Sequence, residues 1–281
     1  MGDNSTNFTL NASDGTKLNG CSWMPSEPIR AIICAIHGHG EHIGRFQHVA
    51  EYFNGVAIGF MGIDLRGHGK SGGKRGHTPS YEQLLDDVDL LLEKARLENP
   101  ELPIFIYGHS MGGNIVTNYV LRRDTSTLTG AIFSSPWYKL AFEPPAFKVA
   151  LGKMMNGIFP AFTQSSKLDT NALCSDPDEI RAYEDDPLVH DKISAGLFFT
   201  TYSAGLWALE NTDKLNLPTL LMHGDKDELT SCDASLEFAH KAGSNLKFQL
   251  WEGYMHEPHN EPHKEEVLQY MSEWLDVLLR N

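Results

Sequence analysis

The chain has 281 residues, 41% of them apolar and 21% charged. That composition excludes a disordered or fibrous protein, and the length suffices for one sizeable core. Lys and Arg number 23 against 37 Asp and Glu, a formal net charge of −14, which argues against nucleic acid and anionic membrane as electrostatic partners.

Met1 to Phe8 lacks the basic and apolar segments of a secretory signal, which points to the cytoplasm and leaves the sequons at Asn4, Asn7 and Asn11 without meaning. Gly2 to Thr6 fits the loose myristoylation pattern. Phe8 to Trp23 predicts two strands around a turn at Asp14-Gly15. Short apolar runs then alternate with helical patterns. Ala31–Ile36 and Ile104–Tyr107 are continuous, as in strands buried on both faces of a parallel sheet. Val56–Ile63, Leu128–Phe133, Thr219–Met222 and Leu246–Trp251 read as further strands.

Leu84, Leu85, Val88, Leu91, Leu92 and Ala95 share one face of a predicted helix over 81–96, opened by a capping box at Ser80-Tyr-Glu-Gln83. Val267, Leu268, Met271, Trp274, Leu275 and Leu278 do the same near the end. This alternation predicts an open α/β sheet with helices on both faces. It is interrupted at about 136–209, a stretch with helical spacings and no convincing strand. We read 1–135 with 210–281 as the core and 136–209 as a helical cap over the sheet's carboxyl edge, where such sheets bind ligands. Within the cap, Phe147, Leu151, Met154, Met155, Ile158 and Phe159 fall on one helical face before Pro160. Part of that face is expected to line an apolar tunnel to the pocket and its rim to touch a membrane or micelle. Cys21, Cys34, Cys174 and Cys232 form no C-x-x-C pair and read as free thiols.

Gly108-His-Ser110-Met-Gly112 follows a buried strand and opens a helix, where a strained serine needs very small neighbours. A serine hydroxyl becomes a nucleophile when a base takes its proton and an acid orients that base. In this architecture both partners follow later strands. His256 follows Leu246–Trp251, and Asp225 and Asp227 follow Thr219–Met222; spacing alone does not separate the two acids. The amide of Met111 and that of His39, in the glycine-rich His37-Gly-His39-Gly40, are the expected oxyanion donors.

Together with His37-Gly-His-Gly-Glu-His42, Asp64-Leu-Arg-Gly-His-Gly-Lys-Ser71, Gly224-Asp-Lys-Asp227, Gly253-Tyr-Met-His256 and Asp186-Pro-Leu-Val189, these positions resemble the monoacylglycerol lipase and lysophospholipase-like branch of the α/β-hydrolases, the S33-type serine hydrolases. The resemblance implies a serine esterase of small lipid esters with Asp227 as the acid, no metal or cofactor, and a glycerol end held by Glu41, Arg45 and His259. Cysteines that some animal members carry around the pocket have no match, since Thr230 stands three residues after Asp227.

Rival readings are few. His256-Glu-Pro-His259 resembles H-E-x-x-H, but its histidines are three apart with Pro258 between them. A proline-type aminopeptidase would hold a substrate α-amine with cap acids, such as Asp176, Asp178, Glu179, Glu184, Asp185 and Asp186. A non-catalytic binding module would have no use for a Ser, acid and His in this order.

Overall fold

The computed structural model describes residues 5–26, 28–143, 152, 154 and 157–280. Strands β1 (Ser5–Asn11) and β2 (Lys17–Trp23) form an antiparallel hairpin. Its turn passes through Gly15 at φ +83°, a conformation that costs glycine little. Then come β3 (Ala31–Ile36), β4 (Ile58–Ile63), β5 (Ile104–His109) and β6 (Gly130–Ser134). The short strands β7 (Thr163–Ser165) and β8 (Lys192–Ser194) precede β9 (Thr219–Gly224) and β10 (Leu246–Trp251). Eight strands make one sheet in the order β1-β2-β4-β3-β5-β6-β9-β10, parallel from β4 onward.

The fully described α-helices are α1 (Gln47–Gly55), α2 (Tyr81–Glu98), α3 (Met111–Arg122), α4 (Pro177–Asp185), α5 (Ala195–Glu210), α6 (Cys232–Ala242) and α7 (Lys264–Leu279). Every residue of β3 is fully buried, and its side chains alternate between two cores. Ile32, Cys34 and Ile36 face the core built with α2, α3, α5 and α6, while Ala31, Ile33 and Ala35 face the one built with α1 and α7. A strand covered on both faces needs no polar positions, so its sequence is a continuous apolar run. The chain winds outward from β3 to β4, then returns to place β5 on the other side of β3. The loops after β3 and β5 therefore diverge, opening a crevice at their carboxyl ends.

Several expectations need correction. Val56 and Ala57 belong to the turn after α1, with Ala57 at φ +62°, so β4 begins at Ile58. Strand β6 runs from Gly130 to Ser134, two residues later than its apolar run begins. The capping box is half formed: Ser80 Oγ accepts from the Gln83 amide at 3.3 Å, but the Gln83 side chain turns away to Asp14. The stretch between β6 and β9 contains the antiparallel pair β7–β8, where no strand was expected. Helix α5, from the same stretch, lends Leu197, Ala204 and Ala208 to the main core.

This insertion is fastened to α3 by buried amides. Asn114 Nδ2 donates to the carbonyls of Trp137 (2.7 Å) and Thr201 (3.1 Å), and Asn118 Nδ2 donates to that of Ala204 (3.2 Å). Phe147, Leu151 and Met155 of the expected apolar cap face, and Gly2, lie outside the described residues. Met154, Ile158 and Phe159 are exposed.

Candidate active site

Ser110 sits between β5 and α3 at φ 54°, ψ −117°, the strained strand-to-helix turn that lifts a side chain above the sheet. Its neighbours have no room for a methyl group. A Cβ on Gly108 would lie 2.3 Å from the Gly112 carbonyl oxygen, and one on Gly112 would lie 2.1 Å from that of Ile36. The close approach brings Ser110 Oγ to 2.9 Å from His256 Nε2. His256 comes from the loop after β10, and its Nδ1 stands 2.7 Å from Asp227 Oδ2.

Asp227, in the loop after β9, is held by a ring of donors. Oδ1 accepts from the amides of Leu229 (2.8 Å) and Thr230 (2.9 Å), and Oδ2 from Thr230 Oγ1 (2.7 Å). His223 Nε2 lies 3.0 Å from the same Oδ2. Burial alone would raise the carboxyl's pKa, but the facing imidazoles outweigh it and hold the group far below the carboxylate range. Burial likewise opposes charge on His256, yet the Asp227 charge and hydrogen bond raise its pKa above that of a free imidazole.

Ser110 and His256 line a cavity of about 370 Å³, and Asp227 lies buried behind His256. Gly38, His39, Glu41, His109, Ser110 and His256 line it around the nucleophile, Trp137, Leu140, Phe142, Leu168, Leu173 and Phe198 are among its apolar walls, and Gln164 to Lys167 add further polar lining. A second cavity of about 320 Å³ adjoins it, with His39, Ser166, Leu168 and Tyr183 lining both.

A sequence model of the serine aminopeptidase S33 family matches residues 27–263. The chain is 32% identical to a monoacylglycerol lipase of Mycolicibacterium smegmatis over 90% of each protein. The solved monoacylglycerol lipase of Paleococcus ferrophilus superposes with a TM-score of 0.84 at 32% identity, over 94% of this chain and 98% of that one. An uncharacterised abhydrolase domain-containing protein of Dictyostelium discoideum is 35% identical over 97% of this chain, which spans 29% of that protein's length. The chain belongs to the serine aminopeptidase S33 family.

The other predicted site residues of this α/β-hydrolase scatter to different depths. Met111 opens α3, where its amide has no partner within the helix. The amide of His39, in the loop after β3, makes no hydrogen bond among the described residues. Asp225 is exposed and accepts from the Gly253 amide at 2.6 Å, away from His256. Glu41 is buried at the cavity wall, its Oε1 accepting from the Gly38 amide (2.6 Å) and its Oε2 from Arg45 Nη1 (3.1 Å). Burial, with the like charge of Glu257, pushes its pKa up to about 7 despite Arg45.

Arg45 does not reach the wall. Its guanidinium is shared by Glu41 and Glu257 and lies 4.6 Å from the centre of the Tyr183 ring. His259 does not reach it either, because the turn at Pro258–Asn260 swings the ring inward, where it stacks on Phe46 at 4.9 Å. Ile158 lies outside the cavity lining, and Met155 outside the described residues. Glu257, His109 and Tyr183 line the cavity but were not singled out from the sequence. For Glu257 and His109 the one available signal was adjacency to His256 and Ser110. Among the described residues, Glu41, His109 and Glu257 are also the one acid–histidine group compact enough for a metal ion, but Arg45 is already paired with both of its carboxylates.

Proposed function

We propose that the protein is a serine hydrolase of lipid carboxylic esters, cleaving monoacylglycerols to free fatty acid and glycerol. The observation that carries this reading is the continuous hydrogen-bonded chain from Ser110 through His256 to Asp227, whose nucleophile opens on a cavity with a wall of Trp137, Leu140, Phe142 and Phe198. Ser110 Oγ attacks the acyl carbon as its proton passes to His256 Nε2. Asp227 holds the ring and stabilises the imidazolium. The amides of His39 and Met111 donate to the oxyanion, each such donor contributing about 10²–10³ in rate. When the ester C–O bond breaks, His256 returns the proton to the departing glycerol oxygen. Water then attacks the acyl-Ser110 ester by the same steps reversed, releasing the acid. Each role falls to a residue of the chain, so the reading calls for no metal or cofactor.

The acyl chain lies along Trp137, Leu140, Phe142 and Phe198, and Glu41 faces the glycerol, with Arg45 and Glu257 fixing its carboxylate and His259 packed behind. None of the cap acids between Asp176 and Asp186 that an aminopeptidase would use lines the cavity that holds Ser110. Asp176 caps α4, Asp178 pairs with Arg181 and Glu179 with Lys264, while Glu184, which accepts from Thr170, and Asp186, which pairs with His42, line the second cavity.

Among the described residues, no helix is long and apolar enough to cross a membrane. We place the protein in the cytoplasm with peripheral contact at lipid surfaces. In support, Phe142, Met154, Ile158, Phe159 and Phe162 are exposed, all within the insertion that forms the cap.

The deciding experiment is fluorophosphonate labelling of the protein and of Ser110→Ala, with a panel of monooleoylglycerol, methyl oleate, lysophosphatidylcholine and a proline p-nitroanilide. Labelling confined to the unsubstituted protein, with fastest turnover of monooleoylglycerol, is expected. Labelling of Ser110→Ala would move the nucleophile elsewhere.

A further inference from the structure

The oxyanion role assigned to His39 uses its backbone amide and leaves its imidazole unemployed. Its ring belongs to a packed group of imidazoles, with centroids 5.5 Å from His68 and 5.9 Å from His190. The proton positions follow from one carbonyl. His68 Nδ1 lies 3.1 Å from the Arg66 carbonyl oxygen, which can only accept, so Nδ1 carries the hydrogen and His68 Nε2 the lone pair. That lone pair faces His39 Nδ1 at 3.5 Å, so His39 Nδ1 is the donor there and His39 Nε2 is a bare acceptor. His39 Nε2 is buried and has no hydrogen-bond partner among the described residues. Burial, with the neighbouring His190 and His37, pushes the ring's pKa down to about 3, so it stays neutral and accepting at ordinary pH.

A buried acceptor without a donor costs about 1–3 kcal/mol, a cost that a bound donor would remove. His39 also stands where the two cavities meet. Its backbone amide is assigned above to the oxyanion, which sets the residue beside the reacting carbonyl and within reach of the group on the ester oxygen. We propose that the His39 side chain accepts a hydrogen bond from a hydroxyl of the substrate's alcohol part, and so selects polyol esters over esters of simple alcohols. The inference rests on the ester-hydrolase reading above.

The test compares kcat/KM for glycerol monooleate and propyl oleate, which differ in the hydroxyls of the alcohol, in the protein and in His39→Ala, His39→Phe and His39→Gln. All four chains keep the backbone amide, and the ratio of the two substrates cancels any loss common to both. The ratio is expected to fall about tenfold in His39→Ala and His39→Phe, the worth of one uncharged hydrogen bond. His39→Gln, which restores an acceptor oxygen, should keep most of it. His39→Phe preserves ring and bulk, so a ratio within twofold of the original in that variant would overturn the inference and reduce His39 to packing. Failure of the unsubstituted protein to hydrolyse either ester would instead overturn the underlying reading.

Discussion

Thr230 grips Asp227 from both sides: its hydroxyl donates to Oδ2 at 2.7 Å, and its amide donates to Oδ1 at 2.9 Å. The carboxylate is thereby fixed in position and kept ionised. Asp227→Asn is expected to lower kcat by about 10³–10⁴, as loss of an orienting acid does in triads generally. Asp225→Asn, which touches only the Gly253 amide and Lys226, should change it less than about threefold. Thr230→Val, which removes one of the donors, should fall between them. Steady-state kinetics on a soluble short-chain ester rank the three.

The pH profile follows from His256. The base works in its neutral form, so activity is lost as pH falls through its pKa. Asp227 raises that pKa above the ordinary imidazole value of 6.5, so the acid limb of kcat/KM should have its midpoint above pH 6.5. Asp227→Asn removes the charge that raises it, and the residual activity of that variant should show its acid limb at lower pH. A limb that stays in place would assign it to another group.

Arg45 joins two buried carboxylates, donating to Glu41 and, through both Nη atoms, to Glu257. Arg45→Met leaves that charge unpaired and should cost about 3–5 kcal/mol of stability. Adding Glu257→Gln should recover a large part. Denaturant midpoints of the single and double variants check both statements.

Gly112→Ala sets a methyl group against the Ile36 backbone, which no side-chain rotation relieves. We expect a loss of about 2–3 kcal/mol with slow fluorophosphonate labelling, read by thermal melting and labelling rate.

Ile158→Asp with Phe159→Asp should abolish co-sedimentation with neutral phosphatidylcholine vesicles. Binding by the unsubstituted protein should survive added salt, because an acidic chain gains nothing from anionic headgroups and relies on buried apolar area. Equal sedimentation of the two proteins, both active on a soluble ester, would remove the membrane contact from the proposal.

What could be read from the sequence was local or strongly periodic. The unbroken apolar runs of β3 and β5 announced strands covered on both faces. Chain order named Ser110 and His256 but left Asp225 and Asp227 open, the family resemblance alone preferring Asp227, which the fold brings into hydrogen-bond contact with His256. Strands β7 and β8 are three residues each, too short to display an alternating pattern. Glu257 went unnoticed because its partner Arg45 lies 212 residues away. His259 was misplaced for the opposite reason: three residues past His256 it looks like a neighbour at the surface, but a single tight turn buries it against Phe46.

The amide of Asn114 binds the insertion at its beginning, through Trp137, and near its end, through Thr201. Both feet thus rest on one side chain, four residues along α3 from Ser110. Swinging the insertion about those feet would break both buried bonds, at about 1–3 kcal/mol each. One residue of the nucleophile's own helix therefore sets where both ends of the insertion stand relative to Ser110.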